Sequence, residues 1–280
     1  MNNNSEKLLG EWLQKVEQQL DLLLPADGTP PYPLHAAMRY SLFPGGKRIR
    51  PLFCLAACHA AGGSSDSALT AAAAVELLHS YTLVHDDLPC MDDDTTRRGK
   101  PTVHVQFGEA IAVLTGDALL TMAFEVASAS PVNAAKIVTA LARAGGSKGV
   151  IAGQVMDISA ERPDEKTICA IHQHKTADLI AAAVETGALA ADAAPDRQQA
   201  LVRYGNATGL AFQIIDDLLD SDETAAAHKE LSCLQVWSTE EARTHAAKYT
   251  AEAIHALAAF PPAKTAPLIH LAQSALNRSA

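Results

Sequence analysis

The sequence has few aromatic residues, no excess of basic charge and no cysteine pairs spaced like a metal site. Only 5% of its 280 residues are aromatic, whereas 48% are hydrophobic, and Ala and Leu dominate. This composition favours close-packed helices over strands. The formal net charge is −10, so the sequence lacks the basic surface of a nucleic-acid-binding protein, and we predict no nucleic-acid partner.

The five cysteines indicate neither a disulfide framework nor a zinc site. Their number is odd, and no pair of His or Cys follows them at a zinc-like distance. We predict reduced thiols at every position: Cys54, Cys58, Cys90, Cys169 and Cys233.

The sequence also lacks the patterns of secretion and membrane insertion. The first residues, MNNNSEKLLGEW, do not have the basic-then-apolar order of a signal peptide. No segment has the roughly 18 uncharged apolar residues that a membrane span needs. We therefore predict a soluble, cytoplasmic protein without a membrane span.

No run of residues alternates in the manner of a β-strand, and apolar residues recur instead at three- and four-residue steps. Short breaks rich in Gly and Pro separate the segments, and no low-complexity linker divides the chain. We expect helices to begin near these residues: Leu34, Pro51, Ser67, Gly108, Val132, Ser147, Asp164, Pro195, Thr239 and Ala263. The pattern predicts an all-α fold with a single domain over residues 1–280, a bundle of about ten or more helices.

Two groups of aspartates interrupt the apolar pattern. HDDLPCMDDDTTRRGK, which begins at His85, holds five aspartates within nine positions and follows the apolar run VELLHSYTLV. GLAFQIIDDLLD places Asp216, Asp217 and Asp220 on an apolar helix that has no Lys or Arg in this run. A solvated helix face is the simpler explanation. However, like charges at this spacing repel, and carboxylates among apolar residues need a cation or a hydrogen-bond donor.

The two acidic groups together predict a cation site. Pro89 should end the first helix just past Asp86 and Asp87, so that Asp92 can turn back toward Asp86. If the two helices face each other, their carboxylates line one mouth of the bundle. Carboxylate oxygens select hard cations, and Mg²⁺ usually binds one or two of them together with substrate phosphates. We therefore predict a polyphosphate held between the two groups by several Mg²⁺ ions.

Basic residues complete this pattern. GGKRIRP, from Gly45 to Pro51, places three cations on a glycine turn at a helix start, where backbone N–H groups favour anions. Arg97 and Arg98 follow the first acidic group, and HKT, from His174 to Thr176, lies on another helix. GGKRIRP alone would be explained as surface charge, but beside two acidic groups it favours a binding site for anionic substrates.

In their order along the chain, several segments resemble the short-chain trans-prenyl diphosphate synthases, specifically the bacterial type of farnesyl diphosphate synthase. The segments are GGKRIRP, LLHSYTLVHDDLPCMDDDTTRRGKPTVH, GEAIAVLTGDALL, GQVMDI, HKT and GLAFQIIDDLLD. The resemblance implies an isoprenoid synthase fold, all-α around a deep apolar cavity, a homodimer, and three Mg²⁺ ions. It also implies that an allylic diphosphate (dimethylallyl or geranyl) ionises. The double bond of isopentenyl diphosphate then attacks the cation and a proton is lost.

The resemblance also implies roles for individual residues. Three carboxylates would hold Mg²⁺, namely Asp86, Asp92 and Asp216. Other acidic residues would support them as part of the catalytic group, namely Asp87, Asp217 and Asp220. The allylic diphosphate would be bound by Arg97, Lys175, Thr176 and Gln213, with Lys175 also catalytic. The isopentenyl diphosphate would be bound by Lys47, Arg50, His79 and Arg98. A lone histidine on an apolar helix is more often a core residue, and only the motif gives His79 a ligand role.

Tyr81 carries a prediction about product length. It lies five residues before Asp86, about 7–8 Å down the helix at 1.5 Å per residue. In related enzymes a bulky residue at this position forms the floor of the cavity, which implies a fifteen-carbon product here, with ten carbons also open. The alternative is that Tyr81 only packs between helices.

The resemblance ends after Asp220. The family has a flexible loop with Gly and Lys there, whereas this chain has DSDETAAAHKELSCLQVWSTEEAR and no glycine after Gly209. Only Lys229, beside His228, could supply the missing cation. The loop normally covers the diphosphate, so its loss leaves open a non-catalytic or regulatory partner subunit. A terpene cyclase is also open, but GGKRIRP and Arg98 disfavour it because a cyclase needs no second diphosphate pocket. The intact acidic groups favour an active synthase.

Overall fold

The computed structural model describes residues 2–43, 45–161, 163–223 and 231–276, with side chains for all but 2, 3, 220–223 and 275. The prediction of an all-α fold is confirmed. The α-helices in these ranges are α1 Asn2–Leu23, α2 Leu34–Leu42, α3 Ile49–Ala61, α4 Ser65–Asp86, α5 Val103–Phe107, α6 Glu109–Ser128, α7 Ala134–Gly145, α8 Val150–Ser159, α9 Glu165–Ile171, α10 Asp178–Ala190, α11 Pro195–Glu223, α12 Thr239–Ala256 and α13 Pro262–Leu276.

Two short irregular pieces stand out among these helices. A hairpin of β1, Thr96–Arg97, and β2, Lys100–Pro101, follows the first acidic group and was not predicted. The segment His172–Ala177, which contains HKT, is a π-helix between α9 and α10. Single turns of π-helix occur frequently at functional sites.

Helix α4 runs through the middle of the bundle. It packs against α3, α6 and α10, and all five of its alanines and two of its four leucines are buried. The Ser64 hydroxyl accepts a hydrogen bond from the Asp66 N–H and caps its start. Because α10 contacts both α4 and α11, it lies between the two helices that carry the acidic groups.

Glycines allow the helices near the acidic groups to approach closely. A Cβ at Gly153 on α8 would lie 2.7 Å from the Lys175 Cα in the π-helix, and a Cβ at Gly116 on α6 would clash with the His85 ring. Segments GQVMDI and GEAIAVLTGDALL therefore contain glycine where their helices meet the site, since any side chain would push the neighbour away.

The apolar core has a main part and a smaller one. The main part includes the stripe of α1, in which Trp12, Val16 and Leu20 are buried as the period predicted. The smaller part joins α11 to α12 through Ile214, Trp237 and their neighbours. It supports the helix that carries the second acidic group.

Helices α4 and α6 are long and apolar enough to cross a membrane by length and composition alone. In the most apolar 18-residue stretch of each helix, 72% of α4 and 39% of α6 is buried within the fold. A buried core helix passes the same test, and α4 is such a helix. On α6, Val113 and Leu114 are exposed, so this face is available to another surface.

Candidate active site

The first acidic group is shaped by the end of α4. The helix ends at Asp86, and the Asp92 N–H donates to the Asp86 carbonyl over 2.9 Å. The chain thus turns back as the position of Pro89 predicted. Asp93 is exposed and has a φ of 56°, a left-handed conformation that aspartate tolerates better than most residues.

Asp86 lies in a field that disfavours its charge. Burial raises its pKa to about 7, and the nearby Asp92 and Asp87 add to this effect, whereas Lys175 and Arg97 oppose it. Carboxylates that repel one another at a half-buried position have the electrostatics of a cation site. The interaction with Lys175 also indicates that the π-helix faces the end of α4.

Asp87 differs from Asp86 because it is held within the protein. Its side chain is 4% exposed and forms an ion pair with Arg97, whose Nε donates to Asp87 Oδ1 over 2.6 Å. Arg97 also contacts Asp94 at 3.3 Å. Asp87 therefore fixes Arg97 on the hairpin beside the acidic group.

In the second acidic group, the Asp217 carboxylate is surrounded by donors. It accepts hydrogen bonds from Gln213 Nε2 at 2.9 Å and from the Cys233 N–H at 2.7 Å, and His172 Nε2 lies 3.1 Å away. Burial raises the pKa of Asp217, but His172 and the other donors lower it to below its ordinary value. Asp217 thus joins α11 to the π-helix and to the segment that follows the second group.

Asp216 and Asp220 complete the predicted second group. Asp216 is half-buried, and it raises the pKa of Arg50, which burial lowers. The side chain of Asp220 lies outside the described residues, as do His228 and Lys229. The described part of this group therefore faces the basic residues of GGKRIRP.

The π-helix brings three predicted residues together. Lys175 Nζ lies 2.6 Å from Asp157 on α8, and the Thr176 hydroxyl donates to Gln213 Oε1 over 2.5 Å. Gln154, on the same helix as Asp157, is buried, and its Nε2 has no hydrogen-bond partner among the described residues. Lys175 and Thr176 thus lie on one π-helical turn, and Gln213 on α11 contacts that turn through Thr176.

The residues predicted to bind isopentenyl diphosphate form a basic group near α3 and α4. Arg50 Nη1 lies 3.1 Å from His79 Nε2. Burial and the nearby Arg50 lower the pKa of His79 well below its ordinary value, so the neutral ring accepts a hydrogen bond from Arg50. His79 is half-buried and has Arg50 as a hydrogen-bond partner, and its role as a ligand stays a prediction. Lys47 is exposed, and Arg98 is partly exposed and partly covered by the glycine turn at Gly46.

Tyr81 is buried on α4, one turn before His85. Its hydroxyl donates to the Gly145 carbonyl over 3.4 Å, and its ring packs edge-on against His85 at 5.8 Å. Burial raises the pKa of Tyr81 to about 12, so the hydroxyl stays protonated. These contacts fix the ring between α4 and the end of α7.

The donor chemistry fits magnesium that is shared with a substrate. Among the described residues, no group of three or more His, Cys, Asp or Glu is arranged to bind a metal by itself. The carboxylates instead form two separated sets, at Asp86 with Asp92 and at Asp216. Mg²⁺ binds protein through one or two carboxylates and takes its other ligands from phosphates and water, so this arrangement suits it.

Sequence reasoning missed two functional neighbours. Glu76 lies one helical turn before His79 and pairs with Arg48 at 2.8 Å, and His172 lies beside Asp217. The acidic residue within VELLH, on an otherwise apolar helix, was the available signal for Glu76. His172 had none, because the π-helical geometry that directs it toward Asp217 is not visible in HQHKT.

Comparison with known proteins identifies the family of this chain. The family model described as polyprenyl synthetase matches residues 31–235. The chain belongs to the polyprenyl synthetase family. The predicted resemblance is thereby confirmed at the level of the trans-prenyl diphosphate synthases, and the chain is a prenyltransferase of that family.

Individual members of the family are similar over most of the chain. The large subunit 1 of a heterodimeric geranylgeranyl pyrophosphate synthase of Arabidopsis thaliana, a chloroplastic protein, is 43% identical over 92% of this chain and 75% of its own length. An FPP/GFPP synthase of Zymomonas mobilis has a TM-score of 0.90 and 35% identity, over 99% of this chain and 100% of that one. A geranyltransferase of Helicobacter pylori, solved with magnesium and isoprenyl diphosphate, has a TM-score of 0.81 and 30% identity over 96% of both chains.

Proposed function

We propose that this protein joins isopentenyl diphosphate head-to-tail to allylic diphosphates in a magnesium-dependent reaction. One observation carries the proposal: each of the two acidic groups has a basic residue close to it. Lys175 of the π-helix lies near Asp86, and Arg50 of α3 lies near Asp216. Such a site neutralises a leaving diphosphate without a protein nucleophile. Membership in the polyprenyl synthetase family supports it.

In this proposal Asp86, Asp92 and Asp216 hold three Mg²⁺ ions, the number that the family resemblance implies. When bound, magnesium offsets the charge that develops on the leaving pyrophosphate. Lys175 and Arg97 add fixed positive charge at the same oxygens, held in place by Asp157 and Asp87.

The second substrate binds at the basic group on the other side. Lys47, Arg50 and Arg98 take the diphosphate of isopentenyl diphosphate, and neutral His79 orients Arg50. Their position beside the first acidic group supports the proposal, because a condensation of two substrates needs their reacting carbons held close together.

The product is proposed to be geranylgeranyl diphosphate, with twenty carbons. The 43% identity to a geranylgeranyl pyrophosphate synthase supports this length. A specific observation favours a second candidate, the fifteen-carbon product predicted from the sequence: Tyr81 is bulky, buried and fixed at the expected floor of the cavity. A third outcome is a ten-carbon product, which one condensation onto dimethylallyl diphosphate gives.

Product analysis tests the proposal. Purified protein is incubated with Mg²⁺, isopentenyl diphosphate and, in separate reactions, dimethylallyl, geranyl and farnesyl diphosphate, and products are separated by chain length. A linear product of twenty carbons is expected, and accumulation at fifteen carbons would select the second candidate. A cyclic hydrocarbon formed without isopentenyl diphosphate would indicate a terpene cyclase instead.

A partner-subunit role is the competing proposal. The relative from Arabidopsis thaliana is the large subunit of a heterodimer, and the family loop after the second acidic group has no counterpart in this sequence. Tight binding of diphosphates with no turnover by the isolated chain would support this role. Turnover by the isolated chain would exclude it.

We further propose a single polyprenyl synthase domain that acts in the cytoplasm as a homodimer. Large apolar side chains are exposed on α5, α6 and α8, including Val105, Leu114, Val155 and Ile158. Exposed apolar surface of this kind is typical of a protein interface. Sedimentation analysis tests the dimer, and a monomeric mass at micromolar concentration would contradict it.

A further inference from the structure

A buried glutamate, Glu76, lies at the centre of the basic group that is proposed to bind isopentenyl diphosphate. It projects from α4, the helix that also carries His79, and it is 2% exposed. Its Oε1 accepts from Arg48 Nη1 over 2.8 Å. Its Oε2 is buried and has no hydrogen-bond partner among the residues that the structure describes.

Three arginines lie around this carboxylate: Arg48 just before α3, Arg50 in the first turn of α3, and Arg98 in the hairpin. Arg48 is fully buried and also pairs with Glu17 on α1, at 2.7 Å. For Arg50 and Arg98, burial lowers the pKa and Glu76 acts in the opposite direction. Arg98 comes from the hairpin and lies against the glycine turn, because a Cβ at Gly46 would be 2.8 Å from its guanidinium nitrogen.

The charges in this region would repel one another without Glu76. Arg98 lowers the pKa of Arg50, both arginines lower the pKa of His79, and Arg50 Nε is buried without a hydrogen-bond partner among the described residues. A carboxylate that is itself only half satisfied would normally be costly to bury. Here it offsets the larger cost of like charges held together.

We infer that Glu76 is an internal counter-ion that takes the place of the diphosphate while the isopentenyl diphosphate pocket is empty. The inference rests on the proposed function, since it assigns a role to a residue of that pocket. Glu76 is a positioning residue and does not contact substrate. Its carboxylate holds the arginines in the binding arrangement, and it reduces the affinity for the incoming anion because like charges repel.

Substitution Glu76→Gln tests this role, because Gln keeps the size and one oxygen acceptor but removes the charge. Without ligand, the variant should unfold at a lower temperature than the wild type. Inorganic pyrophosphate, titrated calorimetrically in EDTA so that binding at the acidic groups is not favoured, should bind about tenfold more tightly to the variant. A purely structural role would lower the melting temperature and leave pyrophosphate affinity unchanged or weaker.

Glu17→Gln is the matched control. Glu17 also pairs with Arg48, but it lies on α1 and its side chain is 35% exposed, whereas Glu76 is buried. The control should lose some stability and bind pyrophosphate as the wild type does. Glu76→Asp, which keeps the charge, should also retain wild-type affinity within about twofold.

Every result decides between these possibilities. Equal or weaker binding of pyrophosphate by Glu76→Gln, with normal binding by the wild type, overturns the counter-ion role and leaves the proposed function intact. Failure of the wild type to bind pyrophosphate removes the pocket itself and both proposals with it. If Glu76→Gln does not refold, refolding from urea is repeated with pyrophosphate. Recovery supports the inference, and failure in its presence, while Glu76→Asp refolds, overturns it.

Discussion

The two acidic groups share a sequence pattern but are stabilised in different ways. In each Asp-Asp pair the first residue, Asp86 or Asp216, is half-buried, and the second, Asp87 or Asp217, is buried in the protein. Asp87 is held by the charge of Arg97. Asp217 is held by an amide, a backbone N–H and an imidazole. The pattern thus combines a residue that is available to a cation with a residue that fixes the local structure.

The largest expected effect tests the first residue of each pair. Asp86→Asn and Asp216→Asn should each reduce turnover by at least about a hundredfold, because each removes a metal-binding charge and keeps the shape of the side chain. Asp93→Asn is the control, since Asp93 is exposed and Asn tolerates its left-handed backbone. Steady-state rates at saturating Mg²⁺ provide the measurement. Comparable activity of all three variants would refute the metal assignment.

Gly153 tests the wall between the two groups. In Gly153→Ala, the added Cβ overlaps the backbone of Lys175 and should displace its ammonium group from the diphosphate. Displacement of a binding group by about 1 Å can reduce the rate about a hundredfold. The rate with allylic substrate is the readout.

Gly10→Ala is the matched control for Gly153→Ala. Gly10 lies on α1 with no atom within 4 Å of an added Cβ, and the substitution should stabilise the protein by about 0.5–1 kcal/mol. If Gly153→Ala behaves like Gly10→Ala in both rate and stability, close packing of α8 on the π-helix is not required.

Asp217→Asn and Asp87→Asn test how much the second residue of each Asp-Asp pair contributes to stability. Asp217→Asn places a donor amide against the Gln213 amide and the Cys233 N–H, which both donate to Asp217, so it should destabilise the fold by about 1–3 kcal/mol. Asp87→Asn should cost less, because Arg97 keeps its contact with Asp94. Urea denaturation of both variants measures the difference. The reverse order would show that the ion pair is the stronger attachment.

Tyr81→Ala should change product length more than rate. Removing the ring opens space toward α7 and should shift the product by one or more five-carbon units, with turnover changed by less than the substitutions above. Tyr32→Ala is the control, because Tyr32 is 65% exposed. Identical product profiles for both variants would show that Tyr81 only packs between helices.

Much of the fold was predictable because helical periodicity is a local signal. Each predicted helix start lies within three residues of an observed one. The residues near Asp92 were also predictable, since the effect of Pro89 on the preceding helix is local.

Features that depend on tertiary contacts were not predictable. The donors around Asp217 come from Gln213 on its own helix and from the distant Cys233 and His172, so sequence alone could not separate its role from that of Asp216. The hairpin at Thr96–Arg97 has strands of two residues, too short to show alternation. The role of Glu76 depends on the start of α3 and on the hairpin, which meet only in the folded chain.

The π-helix has a consequence for how this chain tolerates changes in length. Five successive residues, His172 to Thr176, contact partners on α8, α10 and α11. Deletion of one residue would remove the wide i→i+5 turn and change the directions of the side chains within it. Lys175 and His172 could not then both reach their partners. At this segment, the number of residues is therefore as constrained as their identity, and insertions or deletions should be far more damaging than substitutions of His174.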